Sequence, residues 1–478
     1  MLSSQGMTIF PRHTKIVATL GPSLAPDDHL RQAIAAGVDV FRLNFSHATH
    51  EELEQTVPRI RKISAEVGRT VALLQDIQGP RLRTGVVENG DGIRLTPGET
   101  VRVVQDDVPT TEGSVSIPYP RLVNDVSAGD RILIADGNLV LRVAEVSGDS
   151  MRASVVAGGV LTSHKGVNLP DSSVTADPIT EKDRKDLAYG AFIGVDYVAM
   201  SFVRSGDDVR SCRELLRKMG TAPPIISKIE HPMAIEHLAD IIEESDGIMV
   251  ARGDLGVEVS PERVPLLQKH IISMANEAGK PVITATQMLG SMLDSPMPTR
   301  AEASDIANAI LDGTDAVMLS EETAIGQYPV EAIATMGRIA LQAETAETPF
   351  HVKHPHDESH AMAQAARFVA QSLHAAALVV FTQSGHTAKA ISHLRPKAPI
   401  YAFTPDPGVC NGLALWYGVR PIRADLPDRT ENRVVQALST LRERGAVMTG
   451  DRVVVFGATR IGAGGIPNDI NVRTVGDP

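Results

Sequence analysis

The sequence predicts an α/β protein: a (β/α)8 barrel interrupted by a small all-β lid domain and followed by a C-terminal α/β domain. Three observations predict it. Short β-rich runs, each followed by a helical stretch, recur eight times before about Ala346, which is the repeat of an α/β barrel. The third and fourth runs begin at Thr70 and Tyr197, whereas the other starts are about 24 to 35 residues apart, so roughly a hundred residues are inserted between them. Beyond a polar stretch, helix and strand patterns alternate again to the end.

The eight barrel strands are expected at Thr14 to Gly21, Val38 to His47, Thr70 to Gln78, Tyr197 to Val203, Pro223 to Glu230, Gly247 to Gly256, Lys280 to Met288 and Asp315 to Ala324. The insertion, residues 84–176, alternates short apolar runs with turn pairs such as Asp91-Gly92, Pro97-Gly98, Asp136-Gly137 and Gly148-Asp149, the pattern of hairpins. It leaves from the carboxyl end of a strand, where such barrels carry their chemistry, so it is expected to cover the mouth as a lid. Residues 1–83 and 177–346 form the barrel on this reading. The stretch Thr348 to His360, with two prolines and four histidines, reads as a linker because no periodicity aligns the histidines as ligands. Residues 361–478 then carry a helix at Ala361 to Ala375, strands at Ala377 to Thr382, Ile400 to Thr404 and Arg452 to Gly457, and a helix at Arg429 to Arg444, giving a mixed sheet.

Composition narrows the function. The chain has 478 residues, too many for one ordinary domain, with 43% hydrophobic and 22% charged residues. A net charge of −12 and a single tryptophan argue against nucleic acid as a partner. No run approaches the roughly 18 apolar residues of a membrane span, and Met1 to Pro11 lacks an apolar signal core, so a cytoplasmic protein is expected. Cys212 and Cys410 lack metal-ligand spacing and read as reduced thiols.

Charge collects at the strand ends. A strand places residues i and i+2 on one face, so Lys228 and Glu230 point together, as Arg252 and Asp254 do if strand conformation persists that far. An ammonium beside two carboxylates suits a hard divalent cation holding a phosphorylated or enolic substrate. Arg42, Asn44 and Ser46 share a face of the second strand, and Asp76 ends the third, with Arg81 and Arg83 at the exit toward the lid. Within the lid, Lys165 stands beside Gly166, where backbone and ammonium could meet phosphates. Strand seven ends in Thr284 and Thr286, and strand eight places Ser320 and Glu322 on one face. Residues Ala251 to Asp254 could instead open a short helix whose N–H groups face a carboxylate, with Gly253 permitting close approach.

These residues resemble pyruvate kinase along essentially the whole chain. The likeness runs from Lys15-Ile16-Val17-Ala18-Thr19-Leu20-Gly21-Pro22 through the Arg42 segment, the Lys165 loop, the Lys228 strand and Ala285-Thr286-Gln287-Met288 to the C-terminal α/β unit. The resemblance implies phosphoryl transfer from phosphoenolpyruvate to ADP, giving pyruvate and ATP. It implies Mg2+ (or Mn2+) at Glu230 and Asp254, Arg42 on the substrate phosphate, and Lys228 stabilising the phosphoryl group in flight. It also implies a substrate carboxylate on the backbone of Gly253 and Asp254, and Thr286 near the carbon of the enolate that is protonated. Asn44, His47, Arg83 and Lys165 match positions that contact ADP or ATP, and a homotetramer is implied. Many relatives bind K+ through residues matching Asn44, Ser46, Asp76 and the backbone of Ile77, with a glutamate where this chain has Arg81. Ile77 and Gln78 also replace a threonine and a lysine, so little or no K+ requirement is expected, with the Arg81 guanidinium folding inward toward Asp76. In the C-terminal unit, Thr382, Ser384, Gly385 and Thr387 resemble a loop that cradles a phosphorylated allosteric effector, while a plain turn before a helix fits the same residues. Two other readings stand beside this one: a Mg2+-dependent barrel lyase acting next to pyruvate enolate, and a metabolite-sensing scaffold without turnover.

Overall fold

The computed structural model describes residues 12–88, 90–172, 174–346, 358–425, 427, 429–457 and 468–477. Eight parallel strands close into a barrel in which every sequential pair is adjacent: Lys15–Thr19, Val40–Asn44, Ala72–Asp76, Tyr197–Met200, Ile225–Ile229, Gly247–Ala251, Val282–Ala285 and Ala316–Leu319, the last pairing with the first. Their inward residues Val17, Val40, Ala72, Leu74, Ala199, Ile226, Met249, Ile283 and Met318 pack together at the centre. Residues one step out of phase, such as Phe41, Leu43 and Leu73, pack against the surrounding helices instead. This alternation is what aims Arg42, Asp76 and Lys228, two or four residues further along the same inward rows, at the mouth.

The strands are shorter than the β-rich runs because several runs bend at their ends. Strand six stops at Ala251, and Arg252–Glu258 is a short helix, so Arg252 and Asp254 do not share a strand face. Strand eight stops at Leu319 and Glu321–Ala324 is helical, so Ser320 and Glu322 are not paired by strand period either. In both places charge or hydroxyl groups meet unpaired backbone donors, which favours a helical turn over further extension.

The insertion forms a seven-stranded sheet in the order Leu82–Arg83, Gly166–Asn168, Arg131–Ile134, Leu139–Ser147, Ser150–Ala157, Thr100–Val104 and Ser114–Ser116. A two-stranded ribbon, Ile93–Leu95 with Gly159–Leu161, stands beside it. Its core is separate, built on Val103, Val115, Ile132, Leu141 and Ala153. The insertion is not purely β, since Leu122–Asp125 is a helical turn. The chain returns to the barrel at Thr180, which caps the helix Glu181–Ile193 in a reciprocal box with Asp183. The Asp183 carboxylate also accepts from the N–H of Gly79, tying the way out of the insertion to the way in.

The C-terminal unit is a five-stranded mixed sheet ordered Val419–Arg423, Ile400–Thr404, Ala377–Phe381, Arg452–Gly457 and Asp469–Thr474, the last antiparallel. Its two outer strands escape a reading of sequence: one contains Pro421, tolerated only at an edge, and the other, Asp469–Thr474, is mostly polar. The expected helices lie at Glu358–Ser372 and Thr430–Glu443. Most of the linker stretch, 347–357, is outside the described residues.

This unit docks on the amino-terminal end of the barrel. Lys15 donates to the Val419 carbonyl, Tyr197 to that of Gly412, and Arg395 pairs with Asp315 at 3.0 Å. Beside this contact, buried Asp39 is shared by Arg12 at 2.9 Å, Arg69 at 3.2 Å and Lys15 at 3.9 Å. Burial alone would raise the Asp39 carboxyl, yet the three cations hold it below its usual range. Burial in turn lowers the Lys15 ammonium to about 8. Cys212 and Cys410 are buried and free. No helix among the described residues is long and apolar enough to cross a membrane.

Candidate active site

Asp76 organises the barrel mouth. Its Oδ2 accepts from Arg42 Nε at 2.6 Å, and its Oδ1 faces Lys228 Nζ and Ser201 Oγ, each at 3.3 Å. Arg42 also donates to the hydroxyl of Thr19 at 3.2 Å. Lys228 Nζ reaches Glu230 Oε1 at 2.8 Å and Ser201 Oγ at 2.8 Å. The other oxygen of Glu230 accepts from the N–H of Phe202 at 2.7 Å. Burial lowers the Lys228 ammonium, but Asp76 and Glu230 overcome it and raise it above the ordinary lysine value. Asp76 is held low in spite of its burial by Lys228 and Arg42. Glu230 is pushed up by burial, only partly offset by Lys228, with Asp254 pushing the same way. A buried carboxylate raised in this way is one whose negative charge favours a further cation beside it.

Across the mouth, Thr286 lies in the left-handed region at φ 69°, followed by Gln287 at φ 55°. A β-branched residue adopts this backbone only when its surroundings hold it there. Here Arg252 binds the Thr286 carbonyl at 2.7 Å while pairing with Asp305, and the Thr286 hydroxyl accepts from Gly253 N–H at 2.7 Å. A Cβ on residue 253 would meet that hydroxyl oxygen at 3.4 Å, an ordinary van der Waals contact, so the approach does not itself demand glycine. The Gly253 N–H is therefore engaged by Thr286 rather than open to a carboxylate. Glu322 is buried and accepts from Leu289 N–H and Ser320 N–H, which gives it a structural place at the foot of this loop.

The remaining predicted residues fall into two groups. On the lid, the Thr84 N–H donates to the Lys165 carbonyl, the Lys165 N–H donates to the Thr84 hydroxyl, and Arg83 donates to the His164 carbonyl at 3.0 Å, leaving exposed Lys165, just before the strand Gly166–Asn168, beside exposed Arg83 on the neighbouring strand. On the second strand's exit, Asn44 Oδ1 accepts from Ser46 N–H at 3.2 Å, and His47 is exposed. Arg81 does not turn toward Asp76. It lies 4.0 Å from Asp136 in the lid, because Asp76 is already neutralised by Arg42 and Lys228 while the chain from Leu82 onward belongs to the lid sheet. In the C-terminal unit, the N–H of Gly385, at φ 83°, donates to Thr382 Oγ1 at 2.9 Å, Ser384 is exposed, and the helix His386–His393 carrying Thr387 follows.

Sequence reasoning misses Ser201, Thr19, Asn168 and Glu258. Ser201 and Thr19 were detectable as hydroxyls at the carboxyl ends of strands four and one. Glu258 lies one helical turn beyond Asp254 and accepts from Asn168 of the lid at 2.6 Å, joining lid to barrel across a cleft lined by Arg81, Leu82, Val167, His231 and Asp254. Burial pushes the Glu258 carboxyl up to about 7, against the pull of the Asn168 hydrogen bond, with Asp254 and Glu230 also raising it. An acid raised on folding contributes stability that is full below its unfolded value, near about 4.3, and lost as pH rises through about 7. Glu258→Gln keeps the acceptor for Asn168 and removes the ionisation. In metal-free buffer it is expected to melt about 3 °C above wild type at pH 8 and within about 1 °C of it at pH 5. No gain at pH 8 would mean the carboxylate is ionised in the fold without penalty.

This mouth offers fixed positive charge with carboxylates at its edge, an arrangement that suits a phosphotransferase on a (β/α)8 frame. Family models described as "Pyruvate kinase, barrel domain" and "Pyruvate kinase, alpha/beta domain" match residues 11–333 and 360–472. The chain belongs to the pyruvate kinase family. It is 43% identical over 470 residues to the pyruvate kinase of Mycobacterium tuberculosis, covering 98% of this chain and 99% of that one. It is 45% identical to the pyruvate kinase of Geobacillus stearothermophilus, covering 98% of this chain and 81% of the relative. Among solved structures, a pyruvate kinase from Cryptosporidium parvum superposes with a TM-score of 0.92 at 36% identity, covering 97% of this chain and 96% of that one.

Proposed function

We propose that Arg42, Lys228, Glu230 and Asp254 carry the transfer of the phosphoryl group of phosphoenolpyruvate to ADP, giving pyruvate and ATP. The observation that carries this reading is the Lys228 ammonium, buried and held charged between Asp76 and Glu230, with Arg42 on the same aspartate. Arg42 binds the substrate phosphate and Lys228 offsets charge on the phosphoryl group as it moves. The work is positioning and electrostatics, so no covalent intermediate is needed. Thr286, held at the mouth, supports protonation of the enolate. A substrate carboxylate at Gly253 and Asp254 takes over the N–H now given to Thr286, which frees that hydroxyl for this second task. Asn44, His47, Arg83 and Lys165 hold the nucleotide, the last two from the lid.

Glu230 and Asp254 fit Mg2+ or Mn2+ rather than a closed protein cage, since no cluster of three or more His, Cys, Asp or Glu is arranged for a metal among the described residues. Mg2+ is commonly held by one or two carboxylates, completing its shell with substrate oxygens and water. When bound, the ion supplies positive charge to the substrate's oxygens. Pyruvate formation followed with ADP or Mg2+ left out tests the whole reading: both omissions should abolish turnover, and turnover without ADP would overturn it.

A low K+ requirement is part of the same proposal, with a different basis from the Arg81 side chain. Three of the four positions matching the K+ ligands of relatives already receive internal donors: the Asp76 oxygens from Arg42 and Lys228, the Ile77 carbonyl from Ser201 at 2.7 Å, and Asn44 Oδ1 from Ser46 N–H. Turnover in a tetramethylammonium buffer is expected within about threefold of that in KCl at equal ionic strength, because a resident guanidinium and ammonium supply the local charge. A rise of about a hundredfold with K+ would sink the idea. Family likeness further supports a cytoplasmic homotetramer. The Thr382, Ser384, Gly385 and Thr387 loop is the place for a phosphorylated effector, to be sought as a shift in the phosphoenolpyruvate saturation curve with sugar phosphates or nucleoside monophosphates.

A further inference from the structure

We propose that Ser201 is a positioning residue for phosphoryl transfer, its hydroxyl fixing the Lys228 ammonium at the barrel mouth. The inference rests on the reading of Lys228 as the cation that meets the migrating phosphoryl group. Ser201 follows the fourth strand, Tyr197–Met200, and is 3% exposed. Its Oγ donates to the Ile77 carbonyl at 2.7 Å, with Asp76 Oδ1 a more distant alternative at 3.3 Å, and accepts from Lys228 Nζ at 2.8 Å.

A lysine ammonium has three N–H donors, and here Asp76, Glu230 and Ser201 receive them. Coulomb attraction to two carboxylates is strong but nearly without direction, because an ammonium behaves as a point charge. Glu230 is also the partner that Lys228 shares with any cation bound beside Asp254. A neutral hydroxyl whose own hydrogen is committed to a backbone carbonyl is different: it is a directional acceptor that does not change charge when ligands arrive. Ser201 is therefore the contact that keeps Nζ in place while its carboxylate partners are drawn elsewhere.

The backbone around Ser201 is held accordingly. Phe202 adopts φ 54°, stabilised by its N–H donating to Glu230 at 2.7 Å. Gly79 packs so closely that a Cβ there would come within 3.0 Å of the Ser201 carbonyl oxygen and 3.2 Å of its Cβ. A hydroxyl clamped on both sides transmits its position to whatever it binds. Ser201 touches no reacting atom on this reading and acts through Lys228.

The test compares Ser201→Ala, Ser201→Cys and Ser201→Thr with Lys228→Met, measuring kcat, KM for phosphoenolpyruvate and melting temperature on the full chain. Loss of an ångström of placement costs about 10- to 100-fold in rate, so Ala and Cys are expected to lower kcat by that factor while KM moves less than about threefold. Thr, which restores the hydroxyl, is expected to return kcat to within about fivefold of wild type. A kcat within about twofold of wild type for Ser201→Ala overturns the proposal. So does a common loss in all three variants, which would mark a packing role. If Lys228→Met itself keeps near-normal kcat, the fault lies in the reading of Lys228 and the inference falls with it. If Lys228→Met is inactive and Ser201→Ala is not, only the inference falls.

Discussion

Lys228→Met is expected to fold normally and to lose most phosphoryl transfer. Methionine keeps the length and apolar stem of lysine, so packing along the inward row above Ile226 survives. What disappears is the charge that faces the migrating group. One preorganised donor in a water-excluded site is worth about 10² to 10³ in rate, and a full charge at least that. Arg42 does not replace it, because its guanidinium, anchored on Asp76 at 2.6 Å and on Thr19, has its own proposed place on the substrate phosphate and is not free to take the Lys228 position. The loss should appear in kcat far more than in KM for phosphoenolpyruvate. Turnover within about tenfold of wild type would remove Lys228 from the mechanism.

The largest effect on stability is expected from Asp39→Ala, at the opposite end of the barrel. One carboxylate serves Arg12, Lys15 and Arg69 within a buried cluster, so its removal leaves three desolvated cations repelling one another. Removing one partner of a buried ion pair costs about 3 to 5 kcal/mol, and repulsion among the remaining charges adds to it. A fall in melting temperature of about 10 °C is expected, measured at constant protein concentration. Asp39 also accepts from the Ile16 N–H, which the substitution would leave without that acceptor. A fall of less than about 2 °C would show that the cluster relaxes by admitting water or shifting Lys15, whose ammonium is already lowered to about 8.

The barrel was legible in the sequence because its evidence is periodic. Eight apolar runs, evenly spaced but for the one insertion, define the strands, and the period of two that runs on from Ile225–Ile229 puts Lys228 beside Glu230, as the 2.8 Å contact shows. Periodicity fails where strands end, and it is there that much of the mouth is built. Arg252 leaves the strand and turns to Asp305, Thr286 takes a left-handed backbone, and Ser201 reaches Lys228 from just beyond a strand. Arg81 shows a second limit. Its neighbours in sequence suggest the metal-binding face of Asp76, but pairing of Leu82–Arg83 with Gly166–Asn168 carries the chain toward Asp136 before the side chain is aimed. Pairing between segments some eighty residues apart cannot be read from local spacing. Asp39 is illegible for the same reason, since Arg12, Lys15 and Arg69 converge on it only when strands one, two and three lie side by side.

The C-terminal unit grips three barrel strands at their starts: Lys15 on the first, Tyr197 on the fourth and Asp315 just before the eighth. The far ends of these same strands carry Thr19 against Arg42, Ser201 against Lys228, and Ser320 beneath the Thr286 loop. A hydrogen-bonded strand of four or five residues spans about 15 Å. The contacts at the base and the contacts at the mouth are thus carried by opposite ends of the same three short strands, which makes these strands the direct covalent span between the C-terminal unit and the charged groups of the mouth.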